Sequence, residues 1–73
     1  MEKLIKILER VKPGVDFRNT SGLVDNRIIT SIDVVSIASK IDRAFEIELS
    51  VADITPENFN SAAAMMAMIE KNL

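Results

Sequence analysis

Apolar residues fall into two clear helical stripes and one weaker one, separated by stretches that lose any period. Between Met1 and Lys12, Leu4, Ile7, Leu8 and Val11 recur at i, i+3, i+4 and i+7, with Glu2, Lys3, Lys6, Glu9 and Arg10 on the other face. Glu2 and Lys6 are spaced as an i, i+4 ion pair, and Pro13-Gly14 stops the helix. From Thr30 to Phe45, the residues Ile32, Val35, Ile37, Ala38, Ile41, Ala44 and Phe45 predict a second helix with a broad apolar face. Ser36, Ser39, Lys40 and Arg43 point away, and Val34 sits at the boundary. A last helix is predicted from Ala62 to about Asn72, capped by Asn60-Ser61, with Ala62, Met65, Met66, Ile69 and Leu73 inward.

The intervening segments predict less regular structure. Residues 13–30 are rich in turn formers (Asp16, Asn19, Thr20, Ser21, Gly22, Asp25, Asn26), with Val15, Phe17, Leu23, Ile28 and Ile29 as isolated anchors. A loop this long inside a small domain is unusual and is commonly functional. Glu46 to Leu49 reads as extended chain, and Ser50 to Ile54 as about one helical turn. Thr55-Pro56-Glu57-Asn58-Phe59 reads as a turn with Phe59 as its anchor. The fold expected is all-α: a small bundle of three main helices and one short one, with a long first loop, spanning 1–73 as one domain.

Composition narrows the chemistry. Hydrophobic content is 48% with three Phe and neither Trp nor Tyr, so the core must be aliphatic, with Met as filler. Three of the four methionines lie between Met65 and Met68; core filling accounts for them, and a groove for an apolar cargo is the alternative. There is no Cys and no His, which removes disulfides, thiolate or imidazole metal sites and a histidine general base. No metal site is expected. The formal charge is −2, and the nine basic residues read as scattered along the chain, which argues against nucleic acid. No apolar run is long enough to span a membrane, and the charged N-terminal segment does not resemble a signal peptide. A cytoplasmic protein is expected.

One stretch carries candidate chemistry. Thr30 is a candidate N-cap, and Asp33 is placed to complete a capping box with it. Ser31 therefore sits exposed at the positive end of a helix, a setting suited to a phosphate ester. As an isolated feature it reads better as an ordinary cap, and only the surrounding pattern reverses that. Leu23-Val24-Asp25-Asn26 followed by Ile28-Ile29-Thr30-Ser31-Ile32-Asp33-Val34-Val35 resembles the attachment region of acyl and peptidyl carrier proteins. Ala44 to Leu49 and Asp53 to Ser61 resemble later parts of the same family, so the likeness covers almost the whole chain.

The resemblance implies a non-enzymatic carrier. A phosphopantetheinyl transferase would place 4′-phosphopantetheine on Ser31, and the arm would hold acyl or aminoacyl groups as thioesters. It implies contacts with the transferase and with loading and acyl-transfer enzymes through Arg27, Thr30, Ile32, Asp33, Val34, Ser36, Ser39 and Lys40. It also implies a monomer that visits each enzyme in turn. Three positions depart from the family pattern: Thr30 where Asp is usual, Ile32 where Leu is usual, and Arg27 where Gly is common. Asp33 and Asp42 are offset by Lys40 and Arg43, which fits a specialised biosynthetic pathway better than general fatty acid synthesis. A carrier-like scaffold that is never modified is the alternative reading.

Overall fold

A computed structural model describes residues 1–73 and is all-helical. Helix α1 spans Glu2–Val11, α2 Ser31–Phe45, α3 Pro56–Phe59 and α4 Ala62–Lys71, with a 3₁₀ turn at Val51–Asp53 before α3. Residues 13–30 form a long connection of turns, and 46–50 form an irregular link. The passage from Thr55 to Phe59, which the sequence suggests is a turn, forms a single turn of α-helix. Pro56 occupies its first turn and the Thr55 hydroxyl accepts the Asn58 N–H at 3.3 Å. The short helical component between α2 and α4 is thus two separate turns.

Sixteen side chains form one core, all of them apolar. From α1 come Leu4, Ile5, Ile7 and Leu8, and from α4 come Ala62, Met65, Met68 and Ile69. Phe17, Leu23 and Ile29 enter from the long loop and Phe59 from α3. The loop is therefore part of the hydrophobic structure. Each fully buried residue of this size contributes about 1.5–3 kcal/mol by leaving water, which offsets the entropy of ordering so many turn residues.

Packing corrects three expectations. In α2, Val34, Ile37, Ala38 and Ile41 fall within about 100° of one another, and this stripe is the buried one. Ile32 and Val35, expected inside, are 81% and 62% exposed. In α4, Met68 is buried, Met66 only partly, and Leu73 is exposed beyond the end of the helix. Near the N-terminus, Glu2 is bound by Arg18 from the loop instead of pairing with Lys6.

α1 and α2 pack antiparallel, with polar ties at both ends. Lys3 Nζ donates to the Ala44 carbonyl at 3.1 Å and lies 5.0 Å from the centre of the Phe45 ring. At the opposite end, Lys12 Nζ is 3.6 Å from Asp33 Oδ2. Glu46 closes α2 in the left-handed conformation at φ 55°. The Asp42 carboxylate accepts the Leu49 N–H at 3.1 Å, holding the chain after the helix.

Candidate functional site

Ser31 is the first residue of α2 and is exposed. Its position follows from the capping box that the sequence suggests. The Thr30 hydroxyl accepts the Asp33 N–H at 3.3 Å, and Asp33 Oδ2 accepts the Thr30 N–H at 2.9 Å. The Thr30 hydrogen bond, with help from Lys12, holds the Asp33 carboxyl below its ordinary range against the opposing effect of desolvation. Asp33 is thus held in its ionised form, with Oδ2 engaged as a structural acceptor. The helix starts rigidly, and the hydroxyl of Ser31 projects from a fixed backbone.

The loop behind Ser31 is fixed just as firmly. The Leu23 carbonyl accepts two N–H groups, Ile28 at 2.9 Å and Ile29 at 3.0 Å. The Leu23 N–H donates to the Asn60 carbonyl at 2.9 Å. Asn60 Oδ1 then accepts the N–H groups of Val24 and Asp25 at 3.0 and 3.1 Å, while its amide nitrogen donates to Asp25 Oδ2 at 3.2 Å. Sequence reasoning places Asn60 at the cap of α4, but Ser61 alone caps that helix, through the Ala64 N–H. Asn60 instead ties the loop before Ser31 to the turn before α4. No local pattern marks a side chain that satisfies backbone 35 residues away.

Arg27 adopts φ 58°, left-handed backbone that a non-glycine residue enters at a cost of about 1–2 kcal/mol. This accounts for the suitability of glycine at that position, and here Arg27 accepts the strain while exposing a cation.

A cleft of about 450 Å³ opens between the start of α2 and the α3 turn, with Ser31 in its wall. Val24, Ile29, Val34, Val35, Ile54 and Pro56 give it an apolar lining, and Arg27, Thr30 and Thr55 add polar groups. Of the residues expected to serve the site, the structure gathers Arg27, Thr30, Ser31 and Val34 around this cleft. Val34 is only 7% exposed, because its helical phase faces the core. Ile32 and Ser39 project outward from α2, Ser36 is half-buried, and Lys40 lies on the opposite flank against α1. The cleft contributions of Val24, Val35, Ile54 and Pro56 are not evident in the sequence. The only local hint is apolar residues beside turn formers with no helical stripe to absorb them.

The arrangement lacks catalytic equipment. The chain has no His to serve Ser31 as a base, and the neighbouring carboxylate, Asp33, is engaged through Oδ2 by Thr30 and Lys12. What the site offers is an accessible hydroxyl at a helix start, flanked by an apolar cleft.

The chain is 33% identical over 72 residues to aminoacyl carrier protein 1 of Bradyrhizobium diazoefficiens, a match covering 97% of this chain and 79% of that protein. No family model and no solved structure matches it. The chain belongs to the acyl and aminoacyl carrier protein family, whose members are carriers and not enzymes.

Proposed function

We propose that Ser31 is the attachment point of a 4′-phosphopantetheine arm and that this 73-residue chain is one carrier unit. The observation that carries this reading is an exposed serine fixed at the start of α2, in the wall of an apolar cleft. The residues fit the group. The first-turn N–H groups of Ser31 and Ile32 lack i−4 partners within the helix, a setting that favours a phosphodiester. Arg27 adds a cation to the same cleft, and the apolar lining suits a flexible organic arm. When attached, the arm supplies a terminal thiol that carries acyl or aminoacyl groups as thioesters.

In the attachment reaction Ser31 Oγ gains a bond to the phosphorus of the pantetheine phosphate from coenzyme A. The bond to the nucleotide breaks, and the hydroxyl proton leaves with a base of the transferase. Such a base explains why this chain needs none. The name of the Bradyrhizobium relative favours an aminoacyl cargo. The balance of Asp33 and Asp42 against Lys40 and Arg43 on α2 favours a specialised pathway over general fatty acid synthesis. The partners are a phosphopantetheinyl transferase and the enzymes that load and unload the arm, each meeting a monomer in the cytoplasm, where coenzyme A is available. No helix is long and apolar enough to cross a membrane. Arg27, Thr30, Ile32, Ser36, Ser39 and Lys40 form the contact surface, with Asp33 and Val34 supporting it from within.

Intact-mass spectrometry after incubation with coenzyme A and a broad-specificity transferase tests this. One arm's mass should be gained and should vanish in Ser31→Ala. No gain, or a gain that survives the substitution, overturns the assignment. Unmodified protein from the producing cell would favour the scaffold reading that Thr30, replacing the usual Asp, suggests.

A further inference from the structure

The basic residues, which look scattered along the chain, are not scattered in space. Five of the nine line a single groove of about 430 Å³ between α1 and α2: Lys3, Lys6, Arg10, Lys40 and Arg43. No carboxylate lines this groove, and none of the five is in an ion pair. Glu2, the natural i, i+4 partner of Lys6, is instead bound by Arg18 and attracts Lys6 only at longer range. Asp42, next to Arg43, accepts the Leu49 N–H.

This arrangement is unfavourable for folding. Lys3 and Lys6 are i, i+3 neighbours, Lys6 and Arg10 are i, i+4, and Lys40 and Arg43 are i, i+3. Like-charge pairs at these spacings destabilise a helix by about 0.2–0.5 kcal/mol each. Lys3 recovers part of that through Ala44 and Phe45, but the other four make no side-chain hydrogen bond. A negative group filling the groove would relieve this repulsion.

We infer that the α1–α2 groove is a docking surface for an acidic protein segment on an enzyme that loads or unloads the carrier. The inference rests on the carrier reading above. Lys3, Lys6 and Arg10 extend over about 10 Å of α1, too long for one small anion and matched to a row of carboxylates along a partner helix. The groove is local, and the chain as a whole is negative, with Glu46, Glu48, Asp53 and Glu57 clustered along the segment after α2. Those acids repel an extended polyanion or an anionic bilayer, whereas a short acidic segment meets only the cations. Lys40 and Arg43 lie about 14–18 Å along α2 from Ser31. A partner of ordinary interface size, about 800 Å² per side, reaches both the serine and the groove. Charge pairing there would set the orientation in which Ser31 is presented.

The test is an NMR titration of the full chain with short poly-L-glutamate, with a single-stranded RNA oligonucleotide and phosphatidylglycerol vesicles as competing probes. Polyglutamate should shift amides at Lys3, Lys6, Arg10, Lys40 and Arg43, and its binding should weaken as salt rises. Lys6→Glu/Arg10→Glu should weaken it at least about tenfold, and Lys6→Gln/Arg10→Gln by less. Lys71→Glu, outside the groove, should change it little. Ser31 modification by the transferase, measured by mass on the same variants, should be unchanged. Loss of modification in the parent chain as well would fault the carrier reading itself. Shifts spread over the surface, equal binding by the Gln variant, or tighter binding of RNA or vesicles at equal charge would overturn the docking assignment. So would salt-sensitive self-association through the groove, which would make the occupant a second copy.

Discussion

The two flanks of α2 use the same helix for opposite purposes. On the α3 side, Ile29, Val34 and Phe59 close over the core, and the cleft beside Ser31 is a shallow extension of that packing. On the α1 side, below the same quality of core, five cations face one another without a carboxylate. The first flank gains stability from the side chains it buries. The second gives some up. The difference shows that one helix can lend one flank to apolar packing and leave the other to unpaired charge.

The largest effect should come from breaking the apolar flank. Phe59→Ala removes a fully buried ring from the element that closes the cleft and should cost about 3–5 kcal/mol. For a domain whose total stability is about 5–15 kcal/mol, the urea midpoint should collapse toward the baseline. Asn60→Ala should follow at about 1–3 kcal/mol, because the N–H groups of Val24 and Asp25 lose their acceptor. Hydrogen exchange should then speed up in residues 23–29 while α4, capped by Ser61, keeps its protection. If exchange rises equally in α4, Asn60 is only a helix cap.

Asp33 joins the two flanks, and acid should reveal it. Its folded pKa is lowered, so its contribution is complete above the ordinary carboxylate value of 3.8 and is lost as pH falls through the lowered one. The stability advantage of the parent over Asp33→Asn should therefore be constant near neutral pH and shrink in acid below about pH 4, measured by urea midpoints at each pH. Thr30→Ala should cost about 1 kcal/mol and shift the Asp33 titration upward, since it removes the hydroxyl of the capping box. The smallest change belongs to the charged flank. Lys6→Gln should raise stability by about 0.2–0.5 kcal/mol at low salt, and the gain should fade as salt screens the repulsion. A loss of stability there would mean the groove is a structural feature and not a strained one.

Helix positions and the capping box are readable because they depend on neighbours three or four residues apart. Leu4, Leu8, Ile37, Ile41, Met65 and Ile69 all occupy the faces that their spacing predicts. Ile32 and Val35 are misread because a run of consecutive apolar residues, Val34-Val35 among them, leaves the phase of α2 ambiguous. Only packing against α1 and the loop decides which stripe turns inward. Thr55 to Phe59 is short enough for turn and helix to share one pattern, and its capping threonine settles the matter in three dimensions.

The sequence by itself determines that this chain is helical, that Pro13-Gly14 ends its first helix and that Ser31 follows a capping threonine. Those features arise from bonds within one turn, which local residue order encodes directly. Tertiary structure alone decides that Asn60 holds the loop before the serine, that Arg18 takes Glu2 away from Lys6, and that five cations share one groove. Each depends on groups brought together across 16 to 41 residues. Their proximity is a property of how the helices pack, and no period along the chain records it.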